Sequence, residues 1–244
     1  MKNKIWIVGM GPGNEEMMTG RAIEVLEQVD VIIGYTVYLD LLGERFQDKE
    51  FLSTPMRQEE KRCRMCFEEA EKGKSVAMVC SGDAGVYGMA SLMYEIGKEY
   101  SAISLEVIPG ITAANSGAAV LGAPLNHDYC VISLSDLMTP WELIEKRLIM
   151  AARGDFAIAL YNPSSRKRAD YLEKACEIIL KSRSEETVCG LVKNIGREGE
   201  LYEIMTLKKL KTTQADMFTT VYIGNSNTKE LNGKMVTPRG YKDV

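Results

Sequence analysis

Histidine is almost missing from this chain: His127 is the only one in 244 residues. A zinc or iron centre built on several imidazoles is therefore excluded, and neither a Ser-His-Asp nor a Cys-His nucleophile arrangement is present. Long apolar runs are missing too, since no segment approaches the roughly 18 unbroken apolar residues of a membrane-spanning helix. The N-terminal stretch Met1–Gly13 is basic, but glycine and proline break its apolar part at once, unlike a secretory signal. A soluble, cytoplasmic protein is the expectation. No large excess of charge of either sign is present: the net charge of −4 gives no general attraction to nucleic acid or anionic membranes. An anionic substrate must then be met by a local basic cluster.

Cysteine is present but not dense. Cys63, Cys66, Cys80, Cys130, Cys176 and Cys189 are scattered through apparent strands and helices, which suits reduced thiols rather than a disulfide framework. Cys63-x-x-Cys66 is the one close pair. Without a second pair or a neighbouring histidine it is a weak metal signal, and no metal site is expected.

Of the residues, 45% are apolar, enough for one large α/β domain or two smaller ones with separate cores. Apolar runs at Ile5–Val8, Val31–Ile33, Val76–Cys80 and Leu105–Ile108 alternate with helical patterns such as Glu15–Gln28 and Arg57–Lys72. Strands that are nearly all apolar belong in a parallel sheet covered on both faces, so the first half reads as a doubly wound α/β unit. The second half has strand patterns at Cys130–Leu134, Phe156–Tyr161, Val188–Val192, Tyr202–Met205 and Thr219–Ile223, with helices over Trp141–Ala152 and Ala169–Ser182. The close spacing of its last strands predicts an antiparallel part. A boundary near Leu121–Pro124 gives two α/β domains with mixed sheets, residues 1–121 and 122–244, sharing a ligand cleft.

After the first strand comes Gly9-Met10-Gly11-Pro12-Gly13-Asn14, with Asn14 placed to cap a helix. A dinucleotide-binding loop needs a third glycine at position 14 and an acid at the end of the second strand, and neither is present. Pro12 also removes an amide that would face a pyrophosphate, and no glycine loop ends in Gly-Lys-Ser/Thr, so a P-loop is excluded. Two more loops follow buried strands: Cys80-Ser81-Gly82-Asp83-Ala84-Gly85-Val86-Tyr87-Gly88 and Pro109-Gly110-Ile111-Thr112-Ala113-Ala114. In an open parallel sheet such loops gather at one edge, where ligands bind.

These three motifs in this order resemble the tetrapyrrole methylase family. In the second half, His127-Asp128, Ser133–Trp141, Tyr161-Asn162-Pro163, Lys193–Arg197 and Thr219–Ser226 are similar to the branch of that family that methylates C-17 of precorrin-3B or cobalt-factor III. The resemblance implies two α/β domains, a homodimer, S-adenosylmethionine as methyl donor and a small tetrapyrrole substrate, with no role for nucleic acid or membrane. Cofactor contacts are then expected from Pro12, Ser81, Gly82, Asp83, Val86, Thr112 and Ala113, and from Asn162, Lys193, Asn194 and Thr220 in the second half. Asp83 alternatively caps the helix that follows it.

Methyl transfer from a sulfonium is an in-line displacement, so positioning is the main task and no covalent nucleophile is needed. Tetrapyrroles of this kind carry many carboxylates, which favours guanidinium contacts. Arg57, Lys61, Arg62 and Arg64 form one basic group and Arg166, Lys167 and Arg168 another; each is either a substrate contact or a solvated face. Arg57 and Arg166 are the expected substrate residues. Where related uroporphyrinogen methylases carry an aspartate acceptor and a lysine donor, this chain has Tyr35 and Arg57, and a phenol is a poor base near neutrality. Asp136, His127 and Tyr35 are the candidates for proton movement, with a helix N-cap the alternative for Asp136 and a hydrogen-bonded loop residue that for His127. Methylation at another tetrapyrrole position, action on diphthamide or ribosomal RNA, and non-catalytic corrinoid binding are the competing functions. The acidic balance and the lack of a basic stripe count against RNA. The presence of cobalt in the substrate stays open.

Overall fold

Consecutive residues of the buried strands point into different cores, and this alternation builds the first half of the chain. The computed structural model describes residues 3–165 and 168–241 and divides into two compact units, Met1–Ala113 and Ala114–Val244. In the first, β1 (Lys4–Gly9), β2 (Val31–Tyr35), β3 (Glu50–Thr54), β4 (Val76–Cys80) and β5 (Ser104–Ile108) form a wholly parallel sheet in the order β3-β2-β4-β1-β5. The crossovers carry α1 (Gly20–Gln28), α2 (Thr36–Leu39), α3 (Glu59–Glu71) and α4 (Ala90–Gly97). Ile5, Ile7, Val31, Ile33, Val76 and Met78 pack with Cys63, Cys66 and Phe67 of α3 and Met93 and Ile96 of α4. Their strand neighbours Trp6, Val8, Ile32, Ala77 and Val79 pack on the other face with Ala22, Val25 and Leu26 of α1 and with Phe46. Side chains alternate across a strand with a period of 2, so two covered faces require the unbroken apolar runs seen in the sequence.

Three local features differ from expectation. β3 carries no sequence signal because it is an edge strand whose Glu50, Phe51 and Ser53 are exposed. The helix expected over Glu15–Gln28 is interrupted: a 3-10 turn at Glu15–Met17 ends in extended Met18, and α1 starts afresh after Thr19. Thr19 is the working cap, its hydroxyl accepting from the Ala22 amide at 3.1 Å, whereas Asn14 makes no side-chain cap. The third helix begins at Glu59 rather than Arg57, because Arg57 is in the left-handed region with φ 68°.

The second unit takes in most of α5 (Ala113–Leu121), followed by β6 (Gly122–Ala123), β7 (Tyr129–Ser133), α6 (Trp141–Arg153), β8 (Ala157–Tyr161), α7 (Tyr171–Leu180), β9 (Val188–Lys193), β10 (Leu201–Thr206), α8 (Leu207–Lys211), β11 (Thr219–Ile223), β12 (Lys229–Leu231) and β13 (Lys234–Val236). Its main sheet has the order β10-β9-β11-β8-β7. Only β7 and β8 run parallel, and the other pairs are antiparallel, as the short spacings predicted. β12, β13 and β6 make a small separate sheet. Ile144 and Leu148 of α6, Leu172, Cys176 and Ile179 of α7 and Leu207 and Leu210 of α8 pack on one face with Ile158, Leu160, Leu191, Val221 and Ile223. The units divide before α5, where the sequence placed the boundary after it, because α5 packs on the opposite face of this sheet. There Tyr222 donates its hydroxyl hydrogen to the Ala114 carbonyl at 3.0 Å, and Gly117 lies against the same hydroxyl. Among the described residues no helix is long and apolar enough to cross a membrane.

A Cβ on Gly117 would stand 2.3 Å from Tyr222 Oη and 2.8 Å from Ile195 Cδ1. Gly117→Ala is expected to destabilise the protein by about 1–3 kcal/mol through overpacking, seen as a lower urea midpoint at unchanged slope. A midpoint equal to that of the parent protein contradicts this packing.

Candidate functional site

The loops after β1, β4 and β5 lie on one edge of the first sheet, and their backbones touch. The Met10 amide donates to the Cys80 carbonyl at 2.9 Å, the Gly11 amide to the Gly82 carbonyl at 3.0 Å, and the Gly82 amide back to Gly11 at 2.7 Å. A Cβ on Gly110 would stand 2.2 Å from the Gly82 oxygen and 2.5 Å from the Gly9 oxygen, so only glycine allows the third loop to approach. Gly11 has φ 78°, and a Cβ there would meet the Met17 carbonyl oxygen at 2.4 Å. Asp83 fastens the arrangement: one carboxylate oxygen accepts from the Gly85 amide at 2.8 Å, the other from the Gly110 amide at 2.9 Å. It therefore closes a turn and ties two loops. It does not cap α4, which starts after Met89. Pro12 is buried beside Gly11, and Ser81, Val86, Thr112 and Ala113 are half-buried. The first-half residues expected to hold a cofactor thus belong to one cluster of loops on a single sheet edge.

At the same edge β2 and β3 end side by side, with Tyr35 paired to Thr54. The Tyr35 ring stands edge-on to Tyr38, 5.2 Å between centroids. The basic group on α3 does not act as one. Arg57 is exposed on the turn before the helix, its amide donating to Glu59 at 3.1 Å. Arg64 points to Glu60 and Glu99, which raise its pKa further. Arg62 is buried and folds back on Thr54 and Pro55. Sequence spacing gave no sign of that burial, because helical position alone does not say which cation turns inward.

In the second unit the ends of β7, β8 and β9 and the start of the antiparallel β11 share an edge, which gathers Ser133, Asn162, Lys193, Asn194 and Thr220. Asn162 and Asn194 are left-handed, with φ 52° and 53°. Asn162 donates from Nδ2 to the Ser133 hydroxyl at 2.9 Å, and Lys193 pairs with Asp216 at 2.6 Å. Asp136 lies on the loop after β7, where Tyr171 donates to one oxygen at 2.7 Å and the Arg168 guanidinium to the other. The Tyr171 hydrogen bond, with Arg168 behind it, holds the Asp136 carboxyl below the usual carboxylate range. Asp136 is not an N-cap, since α6 starts at Trp141 after Pro140; with both oxygens engaged it anchors its loop. His127 is exposed in the loop before β7, and Arg166 lies outside the described residues.

The cysteines are packing residues. Cys63 and Cys66 belong to the core under the first sheet, and burial pushes the Cys63 thiol up to about 12 and Cys66 well above its ordinary value. Among the described residues no group of three or more metal-ligating side chains converges.

Two outcomes follow. Asp83→Asn sets an amide NH₂ against a backbone N–H and is expected to destabilise the protein by about 1–3 kcal/mol; unchanged thermal stability contradicts the clamp. The folded pKa of Asp136 is lowered, so its tie is complete above about 3.9 and is lost as pH falls through the folded value. The Trp141 ring is 4.5 Å from Tyr171, so Trp141 emission should show this acid-side transition and Asp136→Asn should remove it; an identical titration in the variant contradicts the anchor.

Residues 4–211 match the profile of the Tetrapyrrole (Corrin/Porphyrin) Methylases. The chain is 47% identical over 247 residues to the cobalt-factor III methyltransferase of Priestia megaterium, covering 99% of this chain but 46% of that protein, so it spans about half the length of that relative. It is 43% identical over 236 residues to a protein of Salmonella typhimurium named probable cobalt-factor III C(17)-methyltransferase, covering 96% of this chain and 98% of the other. Among solved structures, that of the methyltransferase CobJ matches with a TM-score of 0.90 at 33% identity, over 97% of this chain and 100% of that one. With its glycine loops in the family's order and relatives similar along its whole length, this chain belongs to the tetrapyrrole methylase family.

Proposed function

We propose that this chain transfers a methyl group from S-adenosylmethionine to ring carbon C-17 of cobalt-factor III, with contraction of the macrocycle, in cobalamin biosynthesis. The observation that carries the proposal is 43% identity along nearly the full length of both proteins with the Salmonella relative. The Priestia and Salmonella relatives are both named for the cobalt-containing substrate, which supports that form over metal-free precorrin-3B. On the family resemblance, the protein works in the cytoplasm as a homodimer.

The loop edge of the first sheet fits an amino-acid-bearing nucleoside. It combines main-chain polar groups with the apolar side chains of Pro12 and Val86, and among the described residues no group of three or more metal-ligating side chains gathers there. When bound, S-adenosylmethionine supplies a methyl group activated on a sulfonium. Pro12 and Val86 form the apolar wall, Ser81, Gly82 and Asp83 meet the polar amino-acid end, and Thr112 and Ala113 present backbone groups. Asp83 already accepts two amides, so it meets an ammonium group with its remaining lone pairs. Because the displacement is in line, fixing these loops against one another supplies the orientation on which the rate depends. Tyr35 and His127 are the residues we assign to proton movement, and Arg57 to a substrate carboxylate.

Anaerobic incubation with methyl-labelled S-adenosylmethionine and, side by side, cobalt-factor III and precorrin-3B tests this. One labelled methyl group is expected, at C-17 by NMR, with the cobalt form preferred. Transfer to neither substrate, or to another carbon, overturns the proposal.

A further inference from the structure

Arg62 is only 5% exposed, yet no carboxylate pairs with it among the described residues. Its acceptors are all neutral: Nε donates to the Thr54 hydroxyl at 2.9 Å, and Nη2 to the Thr54 carbonyl at 3.4 Å and the Pro55 carbonyl at 3.2 Å. Nη1 has no acceptor among the described residues. The other inward or clustered arginines are provided for differently. Arg64 meets Glu60 and Glu99, and Arg168 meets Asp136. Arg183, whose side chain is 5% exposed, meets four carbonyls and lies beside Asp155. Removing a cation from water without a counter-charge is unfavourable by several kcal/mol, and a ligand carboxylate would supply the missing one.

Its position says what kind. Thr54 and Tyr35 are paired at the carboxyl ends of β3 and β2, on the edge of a parallel sheet where ligands bind. The guanidinium carbon lies 5.8 Å from the Tyr35 ring centroid, and exposed Arg57 sits on the turn between Thr54 and the helix carrying Arg62. Nη1 offers two N–H donors with no competing oxygen, and a guanidinium edge suits a carboxylate. We propose that Arg62 is the buried half of a subsite for one carboxylate arm of the tetrapyrrole, with the Tyr35 ring as its floor and Arg57 at its rim. The subsite rests on the proposed function in requiring a tetrapyrrole carboxylate, but not in requiring methyl transfer.

Binding of uroporphyrin I, a porphyrin octacarboxylate, tests it by fluorescence quenching in the presence of S-adenosylhomocysteine, with a tetra-cationic N-methylpyridyl porphyrin as control. Arg62→Gln and Arg62→Lys are each expected to weaken the octacarboxylate at least about tenfold while S-adenosylhomocysteine affinity and urea midpoint stay near those of the parent. Thr54→Val, which removes a neutral acceptor but keeps the cation, should retain most porphyrin binding. The subsite is overturned if the parent protein does not bind the octacarboxylate in preference to the cationic porphyrin, or if both Arg62 variants bind it as the parent does. It is equally overturned if porphyrin affinity falls only in step with stability and S-adenosylhomocysteine affinity across all three variants. Arg62-dependent porphyrin binding without methyl transfer to cobalt-factor III would remove the proposed reaction and keep the subsite.

Discussion

Gly110 sits with its α-carbon against the carbonyl oxygens of Gly9 and Gly82, a contact that leaves no room for any side chain. Three loops from three strands are thereby held at main-chain distance, and Asp83 locks the last two through the Gly85 and Gly110 amides. Such closeness is available only where the strands run parallel and end together, which in turn depends on two apolar cores gripping alternate residues of β1, β2 and β4. Site geometry and sheet stability are therefore the same constraint viewed from two ends. Loops fixed in this way need little reordering when a ligand arrives, which lowers the entropic cost of aligning reacting groups.

Charge is handled locally rather than globally. For a chain of net charge −4, the polyanionic substrate proposed above requires cations concentrated at one place. Two clusters looked equivalent in sequence, but the structure gives the described arginines among their members different tasks. Arg64 is spent on surface carboxylates, Arg168 on anchoring Asp136, and Arg57 faces solvent on a left-handed turn. Among the described members of the two clusters, Arg62 alone combines burial with neutral acceptors and no carboxylate partner.

Much of the fold was legible because parallel strands covered on both faces must be apolar throughout: the three central strands β1, β2 and β4 announced themselves that way, and β5, at one edge, stayed legible because only Glu106 interrupts its apolar run Leu105–Ile108. The fifth, Glu50–Thr54, lies at an edge with exposed side chains and has no such requirement. Helix breaks were harder to see: extended Met18 follows from the tertiary course of the chain, and Thr19 takes the capping role expected of Asn14. Glycines marked the loops, because close backbone approach restricts residue type and leaves a pattern, whereas the clamp made by Asp83 left no sign of its own. Side chains whose role depends on what they turn toward left none. Asp136 is an anchor because Arg168 and Tyr171, more than thirty residues downstream, reach it, and the Cys63–Cys66 pair is core because its helix face is buried.

The three interlocked loops of the first unit are the cofactor cradle we propose. Amide chemical-shift mapping with S-adenosylhomocysteine tests it directly. Shifts are expected to concentrate at Gly11, Gly13, Ser81–Val86 and Gly110–Ala113 within the first unit, while the separate surface cavity to which Ile23, Leu41 and Gly43 contribute stays unchanged. Binding that moves the cavity amides and leaves the glycine loops untouched would contradict it.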